Sequence, residues 1–352
     1  MQPIIKYFTI SEIRKWLFNN ESIEGLSSRI IDKQRAYAIV NNPYIKDTDV
    51  VLCALYIADE PIAYTAMFPD YIVGKAERIW WFTTLYCNPK YQGKGYGLIV
   101  IGQLCELLDG ESYFDLDGAE ETVNIFKYLG LTTQYIQRYS FINKNISCKT
   151  LKGSIVYLLE KKSRLLCNIN RRKIIQEITK SDYKLSYVSY IDDLTYNFII
   201  NHVYNDLFIR SKDMLNWIIK YPFMLQTPIM DRVDKTLEFS SQVRTYYIQA
   251  VQVWKNDKLI GFFIYRMLNG CFAIKYLYYS NQFENDVFEA ITEHFIKLKA
   301  ISLQTTHKSF YKWFKSLNLT TKCIVEQQSF SSPKWLNMQG KCIQLGEGDV
   351  FV

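Results

Sequence analysis

The segment Leu85-Tyr86-Cys87-Asn88-Pro89-Lys90-Tyr91-Gln92-Gly93-Lys94-Gly95-Tyr96-Gly97-Leu98 is the part of this 352-residue chain best suited to chemistry. A β-type run ends at Cys87, a glycine-rich turn follows, and a helical pattern begins at Tyr96. Glycines at alternate positions 93, 95 and 97 let the backbone curl until several N–H groups face one concavity. The positive end of a helix dipole reinforces them. Such a turn suits a phosphate or diphosphate, and Lys94 adds a point charge. The spacing is not the G-x-x-x-x-G-K-[ST] of a nucleoside-triphosphate loop, because no Ser or Thr follows Lys94. Nor is it the G-x-G-x-x-G that follows the first strand of a dinucleotide fold. Here the pattern is G-x-G-x-G, after a third strand.

That turn needs a scaffold, and the flanking pattern supplies one. Thr9-Ile10-Ser11-Glu12 reads as a capping box, with Ile10, Ile13, Trp16 and Leu17 on one helical face. A second helix is expected from about Leu26 to Val40, stopping before Asn42-Pro43. Strands are expected over Val50–Ile57, Ile62–Phe68 and Ile79–Cys87, with a tight turn at Asp59-Glu60-Pro61. A helix from Tyr96 to Leu108 follows the glycines. Then come a strand (Tyr113–Leu116), a helix (Ala119–Tyr128) closed by Gly130, and a strand (Thr133–Ile142). The order α-α-β-β-β-α-β-α-β predicts an α/β fold built on a mixed sheet.

Composition bounds the function. Hydrophobic residues at 49% and charged residues at 22% are globular values. The eight cysteines never fall within four residues of one another, and there are only three histidines, so neither a zinc or redox pair nor a metal centre is expected. The start, MQPIIKYFTISEIRKW, has no long apolar run, and no uncharged apolar stretch reaches about 18 residues. The expectation is a cytoplasmic protein without a signal peptide or membrane span. Richness in Tyr, Ile, Asn, Lys and Phe is what an AT-rich bacterial genome would give. The net charge of +7 is concentrated: Lys144 to Lys180 holds ten basic and two acidic residues. This stretch is either a solvated connector or a surface for an anionic substrate, a membrane face or a cofactor's phosphates. The overall surplus does not itself point to nucleic acid.

The chain also repeats. Residues 126–136 (Phe-Lys-Tyr-Leu-Gly-Leu-Thr-Thr-Gln-Tyr-Ile) align with 314–324 (Phe-Lys-Ser-Leu-Asn-Leu-Thr-Thr-Lys-Cys-Ile), and seven of eleven positions are identical. Gly130 and Asn318, which exchange in the alignment, are the residue types that best tolerate a left-handed helix cap. Upstream, Asp59, Ile62, Ala63 and Tyr64 align with Asp257, Ile260, Gly261 and Phe262. Phe272–Tyr279 matches the third strand, and Phe283–Leu298 the helix after it. Two copies of one α/β unit are therefore expected: residues 1–143 and 183–352, joined by the basic connector 144–182.

Gln92-x-x-Gly95-x-Gly97 following Leu85-x-Cys87-x-Pro89 resembles the acyl-CoA-binding motif of the GNAT superfamily of N-acyltransferases. The order of elements from about residue 5 to 142 is also similar to that fold. The resemblance implies an acyl-CoA, with acetyl-CoA as the default, and a small-molecule amine acceptor such as an amino sugar. Its diphosphate would lie on Gln92, Gly93, Lys94, Gly95, Tyr96, Gly97 and Leu98. Backbone groups of Leu85 and Cys87 would hold the pantetheine, which makes Cys87 a backbone ligand and not a nucleophile. The family's tyrosine, four residues before a glycine on the next helix, falls here on Phe126, which has no proton to give a leaving thiolate. Tyr128 lies about 200° further round the helix.

Attack by an amine needs a base, and Glu77, Asp115 and Asp117 are the candidates. Asp115 and Asp117 end a strand where a cleft would open, and residues at i and i+2 share a face. Asp117-Gly118 also reads as plain turn chemistry. Trp80 and Trp81 alternate faces, so both are core or one lines an acceptor cleft. Arg210 and Trp217 could contact an acceptor, or be a solvated Arg and a packed Trp. Opposite Gln92–Gly97 the second copy places Glu284–Glu289, with three carboxylates and no glycine, and is expected to be a degenerate, acceptor-shaping domain. The ending, Gln344–Phe351, reads as a turn and a strand. Two alternatives stay open: a Fem-type aminoacyl-tRNA-dependent transferase, which the basic connector favours, and a non-catalytic acyl-CoA-binding protein, which Phe126 favours.

Overall fold

A computed structural model describes residues 2–71, 77–142, 162, 165–176, 182–203, 205–226, 242–336 and 339–347. The first half supplies β1 (Ile4–Thr9), α1 (Ile10–Phe18), α2 (Lys33–Val40), β2 (Val50–Ile57), β3 (Glu60–Tyr71) and β4 (Arg78–Cys87). It continues with α3 (Tyr96–Leu107), β5 (Ser112–Leu116), α4 (Glu120–Tyr128) and β6 (Thr132–Ile142). After it come β7 (Tyr183–Val188), α5 (Asp193–Asn201), α6 (Lys212–Lys220), the two-residue strands β8 (Leu225–Gln226) and β9 (Gln242–Val243), and β10 (Tyr246–Lys255). The remainder is β11 (Lys258–Leu268), β12 (Cys271–Tyr279), α7 (Glu284–Lys297), β13 (Ser302–Thr305), α8 (Lys308–Ser316) and β14 (Lys322–Ser332). The basic connector lies outside the described residues except for 162, 165–176 and 182, of which 165–176 are helical. Residues 348–351 of the expected last strand also lie outside them.

Local chemistry sets the elements. Thr9 and Glu12 close the expected capping box: the Thr9 N–H donates to Glu12 Oε2 at 2.8 Å and the Glu12 N–H to Thr9 Oγ1 at 3.3 Å. The hairpins β2–β3 and β10–β11 turn through Ala58-Asp59 and Asn256-Asp257, all four at positive φ between 49° and 64°. This is the turn geometry that matches strand twist. The first turn thus precedes its expected place, because Pro61 already pairs with Tyr56 within the sheet.

All strands except β8 and β9 form one sheet, in the order β1-β2-β3-β4-β5-β14-β6-β13-β12-β11-β10-β7. The halves exchange their final strands. β14 lies between β5 and β6, and β6 lies between β14 and β13. The β6–β14 ladder runs from Thr132↔Ser332 to Ile142↔Lys322. At its middle, Arg138 faces Glu326. Each lies twelve residues past the phenylalanine that opens its repeat, so equivalent positions meet here with opposite charge, Arg138 Nε donating to Glu326 Oε2 at 3.2 Å.

Both faces are covered. On one, α3 packs on β2 and β3, and Phe82 of β4 meets Phe126 of α4 at 5.2 Å between ring centroids. On the other, Phe68 of β3 packs on Trp217 of α6 and on Phe223, and the Trp217 indole donates to the Ala38 carbonyl of α2 at 2.8 Å. Trp80 and Trp81 are both core, 2% and 0% exposed, and their indoles donate to Glu111 and Asp70. Arg210 is not solvated. It is fully buried between Asp70 of β3 and Glu347 of the tail, with Nη2 at 2.7 Å from Glu347 Oε2.

Candidate active site

β4 and β5 run parallel only from Ile79↔Ser112 to Trp81↔Phe114. Beyond Trp81 they part, for two local reasons. The β3–β4 register shifts between Tyr64 and Ala66, and Thr84, in that bulge, has φ of +53°. A β-branched residue at positive φ is strained, and a bulge bends its strand. On the other side β5 ends at Leu116 and the chain turns through Asp117 at φ +65°. That turn is pinned by β14: the Asp117 N–H donates to the Ser329 carbonyl at 2.8 Å, and the Ser329 hydroxyl to the Gly118 carbonyl at 3.0 Å.

The gap is a pocket of about 220 Å³. Its walls are Phe82, Thr83, Thr84 and Leu85 of β4, Asp115 and Leu116 of β5, and Asp117, Gly118, Thr122 and Phe126 of the turn and α4, with Ile101 of α3 alongside. The glycine turn stands at its rim. A Cβ on Gly97 would lie 4.0 Å from Leu85 Cδ1 and 3.4 Å from Ile125 Cδ1, so α3 starts close against both walls. Gly95 caps α3 at φ +80° and supplies no capping side chain, which leaves the N–H groups of the first helical turn available. Gly93 has φ of +76°, and a Cβ on either residue would meet nothing within 4 Å. A left-handed turn with open space over it, at a helix N-terminus, fits a diphosphate. Residues 92–95 are exposed, Lys94 Nζ lies 5.2 Å from the Tyr91 ring centre, and the Gln92 amide donates to the Cys87 carbonyl at 3.2 Å, closing the turn onto the end of β4.

The structure thus brings Leu85, Asp115, Asp117 and Phe126 to one pocket. Cys87, Gln92, Gly93, Lys94, Gly95, Tyr96, Gly97 and Leu98 do not line it; they follow its Leu85 wall along the chain, at the end of β4, in the glycine turn and in the first turn of α3. Glu77 is not brought there. It is exposed and precedes β4 at the end opposite Cys87, so its position does not suit a base in this pocket. Asp115 is 7% exposed. Asp117 accepts from Arg138 Nη1 at 2.8 Å, so that carboxylate is already committed to an ion pair. Phe126 is 0% exposed, whereas Tyr128 is 78% exposed and points away. Burial raises the Cys87 thiol pKa, which keeps it protonated. Sequence reasoning missed Thr83 and Thr84. Their signal was two adjacent hydroxyls inside the run Ile79–Cys87. It also missed Arg35 of α2, whose Nη1 donates to Thr83 Oγ1 at 2.8 Å.

The second half repeats the frame without the turn. β12 and β13 part after Ala273↔Gln304, and the β11–β12 register shifts between Ile264 and Tyr265. A short helical turn at Asn281–Phe283 matches Pro89–Tyr91, but α7 then begins at once, at Glu284. Residues 284–289 are therefore the first turns of a helix and not a loop. Asp286 there pairs with Lys255 at 2.8 Å, and Glu284 accepts from the Tyr279 hydroxyl at 2.9 Å. The edge of β12 is occupied by the tail. The Gly346 N–H donates to the Lys275 carbonyl at 2.9 Å, the Leu277 N–H to Gln344 Oε1 at 2.9 Å, and the Tyr276 hydroxyl to the Gly346 carbonyl at 2.6 Å.

Among the described residues no His, Cys, Asp or Glu group could hold a metal ion, and no helix is long and apolar enough to cross a membrane. Residues 12–125 match the model of the acetyltransferase (GNAT) family. No curated protein matches the chain. Among solved structures it is similar to Saccharomyces cerevisiae N-myristoyltransferase with bound myristoyl-CoA, at 11% identity and a TM-score of 0.51, covering 94% of this chain and 84% of that one. GCN5-related N-acetyltransferases of Anabaena variabilis (9% identity, TM-score 0.48, 94% and 72% covered) and Sphaerobacter thermophilus (7%, 0.46, 94% and 94%) are also similar. The splayed strands, the bulged β4 and the glycine turn capping α3 all lie within the residues that match the acetyltransferase (GNAT) family model.

Proposed function

We propose that the protein is an acyl-CoA-dependent N-acyltransferase with one donor site, in its first half. The observation that carries this reading is the uncapped, left-handed glycine turn at the rim of the β4–β5 pocket. Gly93 to Leu98 would hold the diphosphate. The β4 edge beyond Trp81, no longer paired with β5, would hold the pantetheine, with Leu85 and Cys87 contributing backbone groups. Bound acyl-CoA supplies an activated thioester. The chain's part is to fix it in the pocket, exclude water and take a proton from the attacking amine. Asp115 and Asp117 both line the pocket and are the candidate bases; Asp117 also pairs with Arg138. Phe126 gives no proton, so the departing thiolate takes one from solvent. The inner wall of Phe82 and Phe126 suits a short acyl group, acetyl first. The second half would be a degenerate copy that shapes the acceptor side.

Acetyl-CoA should raise the melting temperature of the protein, and Gly95→Glu should abolish that rise. A melting curve unmoved by millimolar acetyl-CoA would remove the reading. A second reading, acyl-CoA binding without transfer, is favoured by Phe126. Tight binding of acyl-CoA with no release of CoA thiol in the presence of any amine would select it.

A further inference from the structure

Thr65, Thr83 and Thr84 meet at the β3–β4 bulge, and all three line the pocket. Two of their hydroxyls have partners: Thr65 Oγ1 donates to the Thr83 carbonyl at 3.3 Å, and Thr83 Oγ1 accepts from Arg35. The Thr84 hydroxyl is buried and has no hydrogen-bond partner among the described residues. Burying a hydroxyl without a hydrogen bond is unfavourable. The same residue carries a second cost, since a β-branched side chain at φ +53° is strained where Gly or Asn would be less so. Two local costs at one residue, in the wall of a cavity, point to a ligand contact that offsets them. Position along β4 says which part of a ligand that is. The strand is unpaired with β5 beyond Trp81, and the glycine turn follows its far end, after Cys87. A donor whose diphosphate lies on the turn, and whose arm runs inward along that edge, passes Cys87 and Leu85 before it reaches Thr84. The end of the arm, which carries the thioester, is the part that arrives there. Among the wall residues of β4, Thr84 is the unpartnered donor. A turn about χ1 exchanges its Oγ1 and Cγ2, so the hydroxyl faces the pocket without moving the backbone.

We propose that Thr84 is a catalytic residue whose side-chain hydroxyl donates to the carbonyl oxygen of the bound thioester. The proposal rests on the acyl-CoA reading given above. As the amine nitrogen bonds to the carbonyl carbon, the C=O π pair moves to oxygen and the hydrogen bond from Thr84 strengthens. When that pair re-forms the double bond, the C–S bond breaks and its electrons leave with sulfur as thiolate. The proton lost by nitrogen goes to a carboxylate of the pocket, and the thiolate takes one from solvent. Thr84 keeps its own proton throughout.

The test compares how the full chain binds acetyl-CoA and S-ethyl-CoA, which has the same arm without the carbonyl oxygen. The parent should prefer acetyl-CoA. Thr84→Val keeps the shape and the branching but not the hydroxyl, and should weaken acetyl-CoA binding about fivefold while leaving S-ethyl-CoA unchanged. Thr84→Ser should keep the parent's preference. A Val variant that discriminates as the parent does overturns the proposal. Should the Val variant fail to fold, Thr84→Gly serves, because glycine adopts φ +53° without strain and also lacks the hydroxyl. A parent that binds neither compound removes the acyl-CoA reading itself. A parent that binds both, with a preference independent of residue 84, removes this proposal alone. With an amine that the parent acylates, Thr84→Val should lower kcat about a hundredfold, and Thr84→Ser should restore most of it. A Val variant with the parent's kcat overturns the assignment of the hydroxyl to the reacting oxygen.

Discussion

The two halves carry the same frame and differ in what occupies the gap beside the third strand of each. In the first, β4 parts from β5 and the gap is a pocket rimmed by a glycine turn. In the second, β12 parts from β13 and the chain's own residues 344–346 lie along the exposed edge. A strand that splays from its neighbour leaves N–H and C=O groups that must be satisfied. One half leaves them available to a ligand, and the other satisfies them internally. The bulge and the splay are therefore common to both halves. The loop between β4 and α3 is not: it keeps a helix N-terminus open where the second half runs straight from its short turn into α7.

The largest effect should come from closing the one open turn. Gly95→Glu adds a side chain and a negative charge at φ +80°, and should lower kcat/KM at least about a hundredfold and abolish the acetyl-CoA melting shift. Neutralising the matching helix start with Asp286→Asn should do neither. If it created a response to acetyl-CoA, charge and not loop geometry would be what separates the halves.

Next comes the filled gap. A Cβ on Gly346 would collide with the Tyr276 ring, so Gly346→Ala should cost roughly 3 kcal/mol in urea unfolding. Gly93→Ala, over open space but at φ +76°, should cost only about 1 kcal/mol. Equal losses would mean that the tail does not fill its gap tightly.

A smaller effect is set by pH. Burial raises the Glu347 carboxyl to about 8 despite Arg210 beside it, since Asp70 shares the same guanidinium. The unfolded carboxyl titrates near 4.5, so between those values the folded state keeps a proton that the unfolded state has lost. Stability should therefore fall as pH rises through that window, by at most about 1.4 kcal/mol per pH unit. Glu347→Gln should flatten that slope in urea titrations at pH 5.5, 7 and 8.5. The smallest effect belongs to the centre of the sheet. Arg138 and Glu326, both partly exposed, should show a coupling below about 1 kcal/mol in a double-mutant cycle.

The first half was legible because its signals are local. Alternating glycines, a capping box and apolar periodicity each act within a few residues, and β2, β4, α3 and α4 lie within a residue of their expected bounds. β1 was missed, since Ile4–Thr9 is short and becomes a strand only by pairing with β2. The strand exchange was not legible, because periodicity reveals a strand and not its partner. Gln344–Gly346 read as a turn and strand, and only tertiary contact shows them bonded along the edge of β12. Arg210 read as solvated because its two carboxylates are 140 and 137 residues away in sequence.

The exchanged strands also bear on how the molecule is made. β14 is synthesised after every other strand of the sheet, yet it sits at the centre and holds the Asp117-Gly118 turn through Ser329. A nascent chain on the ribosome would display β5 and β6 with unsealed inner edges until translation reached Ser332, a long interval for a chaperone or a stray strand to bind. The pocket wall at Asp117-Gly118 would then be complete only in a finished chain.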